Sequence, residues 1–110
     1  MKVAVTSEGT TLDAAVDPRF GRAKYFILVD TDADAFEAVD NVQNLNAASG
    51  AGIQSAETVI NKGAEAVVTG HCGPKAFRTL SAAEIKIYVG AKGTVKDAIE
   101  ALKAGTLDRK

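Results

Sequence analysis

Two short apolar runs in the second half of the chain, Ala66-Val67-Val68-Thr69 and Ile85-Lys86-Ile87-Tyr88-Val89, constrain the fold most. Both are too short for helices and carry β-branched residues, so they read as strands. Segments of helical spacing surround them. Ile53, Ala56, Val59 and Ile60 recur at three and four from a start near Ala51, and Gly63 is placed to stop that helix. Pro74 suits the first turn of a second helix carrying Phe77 and Leu80. Thr94-Val95-Lys96-Asp97 resembles a capping box with Asp in place of Glu, ahead of an apolar stripe of Val95, Ala98, Ile99 and Leu102 that ends at Gly105. Ser81-Ala82-Ala83-Glu84 also fits the capping pattern, but a β run follows it, so it predicts no helix. Strands alternating with helices imply parallel pairing through right-handed crossovers.

The first half differs. Lys2 to Thr6 alternates around Val3 and Val5 as a first strand. Tyr25-Phe26-Ile27-Leu28-Val29 is a continuous apolar run, expected as a central strand buried on both faces. Ala35 to Asn41, with Phe36 and Val39, predicts a weaker strand at the sheet edge, close enough to the second to form an antiparallel hairpin. The acidic residues between them, Asp30, Asp32 and Asp34, read as a solvated turn. Ser7 to Ala23 has no periodicity, and a loop of that length in a compact domain is often functional. The predicted order is βββαβαβα: an α/β fold of one domain, residues 1–110, with a mixed five-stranded sheet, strand two antiparallel, and helices on its faces.

A net charge of −1 supplies no field to recruit nucleic acid or an anionic membrane, and the absence of Trp argues against a base-stacking surface. A single cysteine cannot close an internal disulfide, which suits a reducing compartment. No apolar stretch is long enough to span a bilayer, and the N-terminal one is too short for a signal peptide. The expectation is a cytoplasmic monomer or weak homodimer.

With strand one central, this topology gathers Ser7–Lys24, Gln43–Gly52, Gly70–Lys75 and Gly90–Gly93 at one rim, beyond the carboxyl ends of the parallel strands, where open α/β sheets bind ligands. Gly70-His71-Cys72-Gly73-Pro74-Lys75 holds the only His and the only Cys, on a strand-to-helix turn. Cys72 reads either as a thiolate ligand, its pKa lowered by a helix start and nearby cations, or as a small buried hydrophobe. His71 reads as an imidazole ligand or a hydrogen-bonding turn residue. One His and one Cys cannot complete a tetrahedral zinc site within one chain. Lys75 opposes the helix dipole unless an anion is bound. Arg19, Arg22 and Lys24 form a basic cluster that either binds oxo or sulfido anions or pairs with Asp13 or Asp17. Phe20 reads as a loop anchor in the core. Ser49-Gly50-Ala51-Gly52 could cradle an anion at a helix start, but lacks the P-loop lysine and the Rossmann spacing. Cys72 as nucleophile with His71 as base lacks a third orienting group. Strand one has no carboxylate for a two-metal nuclease.

Asp17-Pro18-Arg19-Phe20-Gly21-Arg22-Ala23 before a β run, an Asn-rich loop leading to Gly50-Ala51-Gly52-Ile53, Gly70-x-x-Gly73-Pro74-x-Ala76-Phe77, and Gly93-Thr94-Val95 follow one another over nearly the whole chain. In this order they resemble the dinitrogenase iron–molybdenum cofactor biosynthesis family. The resemblance implies a ribonuclease H-like three-layer α/β/α fold and binding of a metal–sulfur cluster without catalysis. The cargo it implies is of Fe–Mo–S, Fe–S or Mo–Cu–S type, the last as in orange-protein-like relatives, with cluster donor and acceptor proteins as partners. His71 and Cys72 are the expected metal contacts. Arg19, Phe20, Gly21, Arg22, Gly50, Gly52, Gly70, Gly73, Pro74 and Lys75 are expected to surround the cluster. Many members lack a cysteine at the position of Cys72 and carry Asn after the proline, so ligation by Cys72 would mark a subgroup. The alternative is a regulatory or protein-interaction module that uses the same rim and binds no cluster.

Overall fold

The computed structural model describes residues 1–33, 35–41 and 50–110. The Asn-rich loop at 42–49 and Asp34 of the acidic turn therefore lie outside the described residues. The elements in order are β1 (Lys2–Ser7), β2 (Tyr25–Asp30), β3 (Ala35–Asp40), α1 (Ala51–Asn61), β4 (Ala66–Val68), α2 (Pro74–Ala82), β5 (Lys86–Val89), α3 (Val95–Ala104) and β6 (Asp108–Arg109). They form one sheet of order β3-β2-β1-β4-β5-β6. β1 is central, parallel to β4 and antiparallel to β2, and β4 is parallel to β5. The α/β class and the mixed sheet follow the sequence.

Among the described residues the sheet has six strands, not the five expected. After Gly105 turns the chain in a left-handed conformation (φ 74°), Asp108 and Arg109 pair antiparallel with Val89 and Tyr88. Two exposed polar residues carry no strand pattern, so only backbone pairing with β5 reveals this edge.

Burial explains the layers. β2 has four consecutive buried residues, Phe26 to Val29, because its side chains meet cores on both faces. Ala4, Phe26, Leu28 and Val67 join Ala56 and Val59 of α1 and Ala76 and Leu80 of α2. Val3, Val5, Ile27, Val29 and Val68 join Val95, Ala98 and Ile99 of α3. Neighbouring positions on one strand fall in opposite clusters, as the period of two requires. β3 is exposed at almost every position, which makes it the edge predicted.

The helix ends follow local chemistry. Thr94 Oγ1 accepts from Asp97 N at 3.1 Å and Asp97 Oδ2 accepts from Thr94 N at 3.0 Å, completing the capping box. Pro74 opens α2, and α1 closes into Gly63 at φ 80°. α2 runs through Ser81 and Ala82, so those residues end a helix.

The long loop is held at the rim without regular structure. Val16 N donates to Gly93 O at 2.9 Å, Val95 N to Ala14 O at 2.9 Å, and Phe20 N to His71 O at 3.1 Å. Gly90 N donates to Gly70 O at 3.1 Å. Segments 8–24, 70–75 and 90–94 therefore meet at one end of the sheet.

A candidate anion groove at two helix starts

The N-termini of α1 and α2 open side by side onto a groove of about 400 Å3. Gly21 and Arg22 form one wall, Gly50 to Gly52 a second, and Gly73 to Ala76 the third. Glycine allows this convergence. A Cβ on Gly21 would lie 2.9 Å from Gly52 Cα, and one on Gly52 would lie 3.3 Å from Ala76 Cβ. Gly50, the N-cap of α1, sits at φ 77°, a left-handed conformation that glycine adopts without steric cost.

The electrostatics of the groove are one-sided. Among the described residues neither helix has a side-chain cap or an acidic residue in its first turn, and none of them takes the first-turn N–H groups of Ala51, Gly52, Lys75 and Ala76. Arg22 and Lys75 line the groove, and among the described residues no carboxylate does. Two positive dipole ends and two cations make it suited to an anion.

The remaining expected residues flank it. Arg19 pairs with His71 in a parallel β-bridge, and both side chains are exposed. Arg19 Nε lies 3.5 Å from Asp17 Oδ1, and the same oxygen accepts from Arg19 N at 3.0 Å. The loop pairing weighed for Arg19 is thus present, although its exposure leaves the head group accessible. Gly70 packs against Pro18, and Phe20 is fully buried with its ring 5.4 Å from Phe26. Phe20 is therefore the core anchor of the loop and shows the groove only its backbone neighbours.

Cys72 is fully buried, in the cluster with Phe20, Ala76 and Leu80. Its thiol donates weakly to Gly73 O at 3.7 Å, and Lys110 Nζ donates to its backbone oxygen. Burial pushes the thiol above its ordinary pKa, and Lys110 offsets this only in part. The lowering expected from the helix start is reversed because the side chain turns into the core. Two consequences are measurable. Thiol titration in the native protein is expected to fall at higher pH than in the unfolded chain. Because the folded pKa is the higher one, the buried thiol's contribution to stability is present below the unfolded thiol pKa and is lost as pH rises through the folded value. Urea unfolding from neutral to alkaline pH checks this: Cys72→Ala should flatten part of the alkaline decline, and an unchanged slope would contradict the assignment.

Among the described residues no three His, Cys, Asp or Glu side chains come together as a metal-ion site. The sequence did not reveal what holds the Gly21–Ala23 wall. Asn41 Nδ2 donates to Ala23 O at 2.9 Å and to Ser55 Oγ at 3.1 Å, while Ser55 Oγ donates to Gly21 O at 3.1 Å. Both side chains are fully buried. The one available signal was Ser55, a polar residue four before Val59 on the apolar stripe of α1.

The family described as dinitrogenase iron-molybdenum cofactor matches residues 1–105. The apo form of the orange protein from Desulfovibrio gigas is 42% identical, with a TM-score of 0.96 over 99% of this chain and 92% of that one. The NMR structure of a candidate NifB protein from Thermotoga, assigned to the DUF35 family, is 38% identical, with a TM-score of 0.86 over 98% and 91%. An uncharacterized protein of Methanocaldococcus jannaschii is 25% identical over 111 positions, 99% of this chain and 91% of its own length. By this match across its length, the chain belongs to the dinitrogenase iron–molybdenum cofactor family.

Proposed function

We propose that this protein carries an anionic metal–sulfur cluster in the groove between α1 and α2 and passes it to a partner protein. The observation that carries this reading is the convergence of two helix starts with Arg22 and Lys75 on one glycine-lined groove that has no carboxylate among the described residues. In this reading the cluster is cargo of Fe–Mo–S, Fe–S or Mo–Cu–S type. It brings its own sulfides, so the chain need supply charge and few ligands. Arg22, Lys75 and the N–H groups at Gly52 and Ala76 take its negative charge. Gly50 and Gly73 keep the walls low, Gly70 lets its turn close against Pro18, Pro74 starts α2 without an N–H to satisfy, and Phe20 and Gly21 hold the loop wall. Arg19 and the exposed His71 stand at the edge, His71 as the metal contact. Cys72 joins as a second ligand only if the Gly70–Pro74 turn opens, since its thiol faces the core.

The role is binding and transfer, not catalysis, on a fold we read as ribonuclease H-like, in the cytoplasm, with donor and acceptor proteins as partners. Among the described residues no helix is long and apolar enough to cross a membrane.

The test is anaerobic titration with tetrathiomolybdate, followed by calorimetry and visible absorbance, with iron or copper and sulfide added in parallel. Saturable binding is expected. Lys75→Glu should weaken it at least about tenfold, the scale of one charge-assisted contact reversed. Lys75→Glu should also leave folding intact, because an acid in the first turn favours the helix. Absence of binding and of cluster absorption in every combination would overturn the proposal in favour of a cluster-free interaction module.

A further inference from the structure

β6 sends one side chain across to the Gly70–Lys75 turn. Lys110 N donates to Ile87 O at 3.0 Å, one step beyond the Tyr88–Arg109 pair. Antiparallel pairs alternate between bonded and non-bonded, so Ile87–Lys110 and Val89–Asp108 are the bonded ones. Side chains alternate between the faces as well. Arg109 Cζ lies 5.8 Å from the centroid of Tyr88, whose ring packs with the α3 core. Lys110 Nζ lies on the other face, 5.4 Å from the centroid of Phe77 on α2. From there it donates to Cys72 O.

Backbone bonds hold the start of the turn, from Phe20 N to His71 O and from Gly90 N to Gly70 O, both at 3.1 Å. Cys72, the next residue, is tied to β6 by Lys110, which is itself exposed. The thiol beneath this tie is fully buried with Phe20, Ala76 and Leu80. A Cβ on Gly73 would meet nothing within 4 Å, so the peptide after Cys72 has room to turn once Lys110 lets go. Both residues of β6 are exposed, and so short an edge strand belongs to the elements that open at low free-energy cost.

We propose that β6 is a latch: docked on β5 it holds the Gly70–Pro74 turn shut through Lys110, and undocked it lets the turn open and the Cys72 thiol reach solvent. Closed, the chain carries a protected thiol. Open, it presents a soft sulfur ligand beside the exposed His71. The latch goes beyond the cluster reading, and only the identity of what the thiol then meets rests on that reading. Lys110 also acts on the thiol by its charge, which draws the pKa down against the effect of burial. The two roles have opposite signs. If charge alone mattered, Lys110→Ala would leave less thiolate and slow its modification. With a latch, the same change speeds modification, because the rate follows the population of the open turn.

The probe is dithiobis(nitrobenzoic acid), added to the metal-free full chain at one fixed pH. The Cys72 thiolate attacks its disulfide and releases coloured thionitrobenzoate, and as the only cysteine it is the one source of colour. Lys110→Ala should raise the rate about fivefold or more, the scale of one lost hydrogen bond. Lys110→Arg keeps a donor and a cation over Phe77 and should stay within about twofold of the parent. Asp108→Pro removes the N–H that pairs with Val89, leaves the Lys110 side chain in place, and should raise the rate like Lys110→Ala. In both fast variants amide exchange should quicken at Phe20 and Gly90, which donate to the turn, and stay as in the parent in β1. The proposal is overturned if Lys110→Ala reacts no faster than the parent, or if Asp108→Pro leaves the rate unchanged. It is also overturned if exchange in β1 quickens to the same degree, which would make the opening global. Each readout is taken without metal, so a groove that binds no cluster leaves the test of the latch intact.

Discussion

Phe20→Ala is expected to cost about 3–5 kcal/mol of folding stability, the range for removing a buried aromatic side chain. The ring is 1% exposed and lies at a 45° tilt against Phe26. It joins the long loop to the core under α1 and α2, in the cluster that also holds Ala4, Cys72 and Ala76. A cavity there has few ways to collapse. The sheet lies on one side, and the loop backbone on the other is tied through Phe20 N to His71 O. Loss of the ring should therefore loosen Arg19, Gly21 and Arg22 together. Denaturant unfolding would show the stability loss, and amide exchange would show faster opening at Gly21 and Arg22 than in β1. Phe20→Leu should recover more than half of the stability. A loss below about 1 kcal/mol for Phe20→Ala would mean that the loop is anchored elsewhere.

Gly70→Ala is the second large effect, expected at about 2–3 kcal/mol. The added Cβ would lie 2.8 Å from both the Cα and the O of Pro18. These are backbone atoms, and the segment around them cannot retreat easily. Asp17 N donates to Thr6 O at 3.0 Å, Thr6 Oγ1 donates to Asp17 O at 2.7 Å, and Arg19 and His71 are paired. The matched control is Gly73→Ala, three residues away. A Cβ there meets nothing within 4 Å, and the backbone at φ −70° is open to any residue. That change should stay within about 0.5 kcal/mol. Equal losses at the two glycines, measured by thermal or urea unfolding, would show that contact with Pro18 is not the source of the cost, since the substitution by itself lowers the entropy of the unfolded chain and favours folding.

Gly70 and Gly73 illustrate how far the sequence could be read. Both belong to one turn by sequence, but nothing local separates a glycine pressed against another segment from one in open space. The same holds for Gly21 and Gly52, which are far apart in sequence and touch only because β1, β2 and α1 place them together. Phe20 was read as a core anchor because an isolated aromatic in a polar loop has few other uses, and burial bears this out. Cys72 left two readings open, since a thiol's pKa depends on which way the side chain turns at the end of β4, and here it turns inward. β6 was missed because two exposed residues pair through backbone groups, which every residue carries.

The sequence by itself determined the order of the strands and helices through α3, the parallel and antiparallel pairing around β1, and the gathering of segments 8–24, 70–75 and 90–94 at one end of the sheet. Periodicity, capping residues and crossover handedness are local or topological properties, so they survive without coordinates. Only the tertiary structure decided what the Gly70–Lys75 turn presents: the thiol of Cys72 inward, His71 outward beside Arg19, and Lys75 beside Arg22 across two helix starts. Those are differences of a few ångströms between segments distant in the chain, and they depend on packing that no single stretch encodes.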